Sequence, residues 1–280
     1  MAASLGVILD SHRTHRPIIA GVLNVTPDSF SDGGEFFDPR VAADHARRMA
    51  ADGADIIDVG AESTRPGSQR IGADEQIARL RDVLPEVVRM GPAVSIDTTL
   101  AAVARFALDG GATIINDISA GRDDTRMFPL AAERRCPIVL MHMLGEPRTM
   151  QQSPAYKDVV AEVREFLRGR IEAAVAAGVR RGNIIVDPGI GFGKRLEHNL
   201  ALLAGVGRLA ELGCPVMVGP SRKRFIGELT GQSEPARRIS GTVAACLEAW
   251  RRGATIFRVH DVAEIVGAFK VAGGIARIKL

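Results

Sequence analysis

The feature that most constrains this chain is a unit repeated eight times: a short apolar stretch, a polar residue near its end, then a helix-forming segment. The apolar stretches are residues 18–25, 56–60, 93–96, 114–115, 138–141, 184–186, 216–218 and 256–259. β-Branched runs of this length bounded by turn formers read as strands buried on both faces. Between them, helical spacing predicts helices over 41–52, 73–90, 100–109, 127–135, 159–177, 196–212, 236–252 and 262–269. Strict alternation without a linker implies parallel strands covered by helices. Eight such units in 280 residues predict a (β/α)8 TIM barrel, one domain over residues 17–280 behind a lead-in of residues 1–16. A doubly wound open sheet is the alternative, but the first βα turn has no phosphate-binding glycine fingerprint.

Composition narrows the function classes. Lys and Arg number 36 against 33 Asp and Glu, for a net charge of +3, and there is one Trp and one Tyr. No basic run carries the interleaved aromatics of a nucleic-acid binder. Cys136, Cys214 and Cys246 are odd in number and far apart, which fits buried thiols in a reducing compartment better than disulfides or zinc. The N-terminus shows no signal pattern, and no apolar run is long enough to span a membrane. The expectation is a soluble, cytoplasmic protein that uses neither nucleic acid nor membrane as a partner.

Residues 184–194 read Ile-Ile-Val-Asp-Pro-Gly-Ile-Gly-Phe-Gly-Lys. Pro188 has no N–H to continue a ladder, so the strand stops at a carboxylate, Asp187. The glycines match neither a dinucleotide fingerprint, because Lys194 stands at the third glycine, nor a P-loop, because Pro188 and Arg195 stand at required Gly and Ser/Thr positions. What remains is a carboxylate held at the carboxyl end of a buried strand, and other strands end the same way.

In a parallel barrel all carboxyl ends open on one face, so Asn24, Thr64, Arg65, Asp97, Asn116, His142, Asp187, Lys223, Arg258 and His260 are expected around one mouth. Each has a plain reading too. Asp97-Thr98 and Asp261 with Glu264 read as helix caps, Asn116 as a turn former, and His142 as a satisfied core histidine. Together they suit a flat heterocycle rich in N–H donors: Asp187 accepts two N–H bonds side by side, Asn116 donates and accepts, and Lys223 covers a carbonyl oxygen. Arg65, Arg258 and His260 suit a diphosphate, and Asn24 offers a neutral oxygen to Mg²⁺ shared with phosphate oxygens. No Ser-His-Asp or Cys-His arrangement is legible, so the implied chemistry is displacement of a diphosphate with electrostatic help.

Eight motifs in order carry a resemblance: Asn24 to Gly34 (NVTPDSFSDGG), Glu62 to Gly67 (ESTRPG), Ser95 to Thr98 (SIDT), Ile115 to Asp117 (IND), Met141 to Met143 (MHM), Asp187 to Lys194 (DPGIGFGK), Ser221 to Lys223 (SRK) and Arg258 to Val262 (RVHDV). From about Ile18 onward the chain resembles bacterial dihydropteroate synthases. The resemblance implies a TIM barrel that joins p-aminobenzoate to 6-hydroxymethyl-7,8-dihydropterin diphosphate, giving 7,8-dihydropteroate and pyrophosphate by an SN1-like, Mg²⁺-assisted displacement. By the same carry-over Asp97, Asn116, Met141, Asp187, Phe192, Lys223 and Arg258 bind the pterin, and Asp97, Lys223, Arg258 and His260 serve catalysis. Asn24, Thr64, Arg65, Arg258 and His260 hold the diphosphate, with Asn24 on the metal. Thr26, Pro27, Phe30, Arg65, Pro66, Phe192, Ser221 and Arg224 form the p-aminobenzoate site, where sulfonamides compete. The family is usually a homodimer. Two departures are small: Ala61 replaces a frequent Gly, and Arg224 a frequent Ser. A pterin-dependent corrinoid methyltransferase barrel has no use for the motifs over 24–34 and 62–67, and a non-catalytic pterin-binding paralogue predicts losses that are not seen.

Overall fold

A computed structural model describes residues 16–26, 39–63, 68–146 and 148–278. In these, eight parallel strands run in sequence order around one sheet. They are β1 (Ile18–Asn24), β2 (Ile56–Gly60), β3 (Ala93–Asp97), β4 (Ile114–Asp117), β5 (Ile138–Met141), β6 (Ile184–Asp187), β7 (Met217–Val218) and β8 (Ile256–Val259). β8 pairs with both β1 and β7. A single bridge between Val186 and Val216 closes the ring between β6 and β7, so the fold is the barrel and not the open sheet.

The helices are α1 (Pro39–Ala51), α2 (Ala73–Leu80), α3 (Leu84–Val88), α4 (Ala101–Asp109), α5 (Met127–Arg134), α6 (Val159–Ala176), α7 (Leu196–Ala204), α8 (Val206–Ala210), α9 (Arg224–Thr230), α10 (Ile239–Arg251) and α11 (Val262–Ala276). They differ from the periodicity in four places. The helix expected over 73–90 is two, because Pro85 in the first turn of α3 cannot donate back into α2. The helix expected over 196–212 breaks at Gly205, where a Cβ would stand 2.8 Å from Val160 on α6. α9 was not expected at all, and α11 runs on to Ala276, leaving Val271 and Ile275 exposed one turn apart.

Strand alternation sorts the side chains into two populations. Ile19, Leu23, Ile57, Val59, Ile96, Ile115 and Phe257 point outward into the helix layer and form the main core with it. Ile18, Ala20, Ile56, Ala93, Ile114, Val139, Ile185, Met217 and Ile256 point inward and fill the barrel as a separate apolar plug. Two residues further along β2, β4, β6 and β8, and four further along β3, the inward set turns polar, and that change makes the site.

Candidate active site

Above the plug the inward positions are Asp58 on β2, Asp97 on β3, Asn116 on β4, Met141 on β5, Asp187 on β6 and Arg258 on β8. The ladder places them side by side: Asp97 stands opposite Asn116, and Met141 opposite Asp187. Asp97, Asn116, Met141, Asp187, Phe192, Ser221, Lys223, Arg258 and His260 all line one pocket at this end of the barrel. Nine of the expected site residues therefore meet around a single cavity.

Arg258 is the electrostatic centre. Its Nε donates to Asp58 Oδ2 at 2.6 Å and its Nη2 to Asp97 Oδ2 at 2.7 Å. One guanidinium thus faces two buried carboxylates. Burial alone would lower its pKa, but Asp58, Asp97 and Asp187 together hold it raised. Asp97 has its pKa raised by burial, against the pull of Arg258 and with Asp58, Glu62 and Asp117 adding to the rise. An arginine shared in this way cannot fully compensate either carboxylate.

Asp58 decides what Asn116 offers. Asn116 Nδ2 donates to Asp58 Oδ2 at 3.0 Å. A carboxylate only accepts, so the amide nitrogen must face Asp58 and the amide oxygen is turned to accept from elsewhere. Asp58 lies in the middle of β2 and is absent from the set read from the sequence. Its one legible signal is a carboxylate inside Ile-Ile-Asp-Val-Gly, where a strand buried on both faces should be apolar.

Asp187 is held by the loop that follows it, with the Gly189 N–H donating to its Oδ1 at 2.7 Å. Gly189 has φ +67, and a Cβ there would stand 2.0 Å from the carbonyl oxygen of His142, so only glycine fits this turn. Burial pushes Asp187 up to about 6, against the Gly189 N–H, Arg258, Lys223 and Lys194. Lys223 falls to about 8 through burial and Arg258, while Asp187 and Asp97 oppose the fall. Its Nζ lies 4.2 Å from the centre of the Phe192 ring. The wall beside it is soft and apolar: Met141, Phe192, Ile118, Met143 and Met150 form their own buried cluster.

The remaining expectations fall as follows. The ring of His260 reaches Ser221, with Nδ1 3.1 Å from its Oγ, and the His260 backbone N–H donates to the same oxygen at 3.1 Å. Asn24 ends β1 half-buried and opposite Gly60, and Thr26 is buried just beyond it. Pro27, Phe30, Thr64, Arg65 and Pro66 lie outside the described residues. Arg224 pairs with Glu228 at 2.5 Å and is largely exposed, whereas Ser221 and Lys223 beside it line the pocket. His142, expected at the mouth, lies behind the pocket instead, its ring edge-on to Phe166 at 4.8 Å and its Nδ1 3.0 Å from Lys194. Of the capping expectations only Thr98 takes an N–H, just ahead of α4. The side-chain partners of the first N–H groups around α4 are Thr98 Oγ1 for Leu100 and Asp124 for Ala101, while Asp97 turns to Arg258. Asp261 makes no side-chain cap and instead takes both arms of Arg222.

A barrel with donor-seeking acceptors at its mouth has close parallels. Residues 20–260 match the family of pterin binding enzymes. The dihydropteroate synthase of Neisseria meningitidis serogroup B is 46% identical over 261 residues, covering 91% of this chain and 92% of that one. The chain belongs to the pterin-binding enzyme family, among its dihydropteroate synthases. Solved members superpose on this dihydropteroate synthase barrel closely. The Xanthomonas albilineans enzyme with 4-aminobenzoic acid has a TM-score of 0.89 at 45% identity, covering 94% of each chain. The same organism's enzyme in complex with 7,8-dihydropteroate has a TM-score of 0.85 at 43% identity, covering 94% of this chain and 95% of that one. Among the described residues no helix is long and apolar enough to cross a membrane, and Cys136, Cys214 and Cys246 are buried and free.

Proposed function

We propose that this protein condenses 6-hydroxymethyl-7,8-dihydropterin diphosphate with p-aminobenzoate to give 7,8-dihydropteroate and pyrophosphate, as a dihydropteroate synthase of folate biosynthesis. The observation that carries the reading is the acceptor arc of Asp97, Asn116 and Asp187, capped at one end by Lys223 and backed by Arg258. A pterin presents adjacent N–H donors and one carbonyl oxygen along its polar edge, which matches three acceptors and one donor. Phe192 and Met141 offer its faces an apolar slot.

In this reading the bond between the pterin's methylene carbon and the diphosphate oxygen breaks first, and its electron pair leaves with the diphosphate. Asp97, incompletely compensated by Arg258, favours the cation left on the pterin. The p-aminobenzoate nitrogen attacks that carbon and then sheds a proton to the departing diphosphate or to water. Arg258 and His260 face the leaving group, with Thr64 and Arg65 as further anchors. Thr26, Pro27, Phe30, Arg65, Pro66, Ser221 and Phe192 form the p-aminobenzoate site, which sulfonamides would occupy as mimics. For its carboxylate, Ser221, which lines the pocket, suits the geometry better than the Arg224 guanidinium, which is exposed and engaged with Glu228.

The donor set at Asn24 fits Mg²⁺ of one kind. Among the described residues no cluster of three His, Cys, Asp or Glu could cage an ion, so an ion here would share the Asn24 amide oxygen with diphosphate oxygens and water. When bound, it would neutralise charge on the diphosphate.

We further take residues 17–280 as one catalytic barrel, working in the cytoplasm as a homodimer. The exposed apolar pair Val271 and Ile275 on α11 supports a second copy as its cover.

Turnover tests the reading directly. Purified protein given dihydropterin diphosphate, Mg²⁺ and p-aminobenzoate should release dihydropteroate and pyrophosphate in equal amounts, with dihydropteroate dependent on p-aminobenzoate. Tight pterin binding with neither product would leave a non-catalytic paralogue.

A further inference from the structure

Lys194 is buried as deeply as the core, at 3% exposure, yet none of the roles above uses it. It ends the glycine-rich loop after β6. Its Nζ donates to the Phe192 carbonyl at 2.9 Å, and it lies 3.0 Å from His142 Nδ1 and 3.4 Å from the His142 carbonyl. These acceptors belong to two different loops, one following β6 and one following β5. The loops touch backbone to backbone: a Cβ on Gly189 would meet the His142 carbonyl oxygen, and one on Gly193 would stand 2.7 Å from that of Leu144. The pocket walls Met141 and Phe192 are the immediate neighbours of what Lys194 holds, since Met141 precedes His142 in the chain. Phe192 in turn carries Lys223 over its ring.

We infer that Lys194 is a positioning residue whose ammonium clamps the β6 loop to the β5 loop from behind the pocket, and so fixes Phe192 and Lys223 against the pterin. The inference rests on the pterin reading of the pocket. Two neighbouring side chains hold other points of the same loop, Gln151 on the Gly191 carbonyl at 2.7 Å and the Tyr156 hydroxyl on the Gly193 carbonyl at 2.9 Å. Among the described residues only Lys194 joins both loops with a charged donor. His142 is driven down to about 2 by burial, Lys194 and Arg122, so its ring is neutral and Nδ1 accepts. Burial brings Lys194 itself down to about 7, with Asp187 opposing the fall and Lys223 adding to it. The clamp is therefore fully charged below neutrality and weakens as pH rises.

Lys194→Met keeps the length of the side chain and removes the donor. At pH 6 the variant should bind dihydropterin diphosphate, with Mg²⁺ in calorimetry, roughly tenfold or more weakly than wild type, the scale for losing a charged hydrogen bond. Its KM for p-aminobenzoate at saturating pterin should rise by a smaller factor, since Phe192 is the one residue of that site the clamp holds. The ratio of the two pterin affinities should shrink between pH 6 and 8.5, because wild type loses its own ammonium over that range. Asp187, Lys223, His142, Arg122 and Tyr156 are the titratable and charged groups around the clamp. Lys194 lowers Asp187 and His142, so both titrate higher in the Met variant, and Asp187 adds to the loss at pH 6 in the same direction. Lys194→Gln, which keeps a neutral donor, should fall between the two and serves as the test should the Met variant not fold. Equal pterin affinity at pH 6 overturns the inference. So does a loss that is independent of pH and shared equally by both substrates, which would mark a purely structural residue. Wild type that binds no pterin diphosphate would overturn the pocket reading itself, and the inference with it.

Discussion

The plug of the barrel and its mouth are made by the same strands on the same alternation, two residues apart, and they obey opposite rules. Ile56, Ala93, Ile114, Ile185 and Ile256 fill the lower layer and make no polar bond through their side chains. Asp58, Asp97 (with Ser95 between it and the plug), Asn116, Asp187 and the partly buried Arg258 fill the layer above, each dependent on a named partner. Packing that is apolar loses a little when trimmed. A buried charge network loses much when one member goes, because the others are left without compensation. The lower layer therefore supplies rigidity, and the upper layer spends that rigidity on holding charges where water alone would not keep them.

Arg258→Ala breaks this contrast most severely. It strands Asp58 and Asp97, so unfolding by urea at neutral pH should show a loss of about 3–5 kcal/mol, the scale for removing one member of a buried ion pair. Turnover should fall at least roughly a hundredfold, as for deleting one preorganised electrostatic group. Unchanged stability would mean that Arg258 is not the centre of the network. Asp187→Asn is expected to be milder. It keeps the fold and should weaken pterin diphosphate binding by about 1–3 kcal/mol, since one N–H of the ligand then faces an amide that cannot accept at both atoms. Wild-type affinity in that variant would remove Asp187 from the pterin edge.

The same residue gives the layer a pH signature that the plug cannot have. The native pKa of Asp187 is raised from 3.8 to about 6, so its protonated form favours the folded state. That contribution is complete below 3.8 and is lost as pH rises through about 6. Ligand binding needs the ionised form, so pterin affinity should rise over the same interval with release of a proton. Calorimetry at pH 6 in buffers of different ionisation enthalpy should detect that proton in wild type and less of it in Asp187→Asn. Equal proton release by the two proteins would place the ionisation elsewhere.

Much of the upper layer was legible because strand ends are legible. Asp97, Asn116 and Asp187 stand where apolar runs stop, and parallel strands carry every such stop to one face. Arg258 sits inside its run between Phe257 and Val259, and reads from the sequence as a rim cation suited to an anion. Asp58 was hidden because it sits inside a run, flanked by Ile57 and Val59, where only its inward register gives it a role. The caps misled for a different reason. Asp97-Thr98 has the local form of a helix start, but Ala101 takes its bond from Asp124, which arrives from the next βα loop 23 residues later. Asp261 likewise prefers Arg222, 39 residues away. Local chemistry nominates such residues, and long-range partners that no short window contains decide among them. Lys194 shows the same limit: its motif was plain, but two of its three acceptors belong to another strand's loop.

The smallest expected effect is the one that isolates the plug. Ile185 points inward on β6 two residues before Asp187, so a change there tests whether the two layers are energetically separate. Ile185→Val removes one methylene from a site 1% exposed, which should cost about 0.5–1.5 kcal/mol in urea unfolding. Its side chain belongs to the apolar plug and carries no polar group, so no hydrogen bond is lost. The KM values for both substrates should therefore match wild type within experimental scatter, as should the pH dependence of pterin binding. A shift in pterin KM without a matching loss of stability would show that packing in the plug sets the height of Asp187, and the two layers would then have to be treated as one.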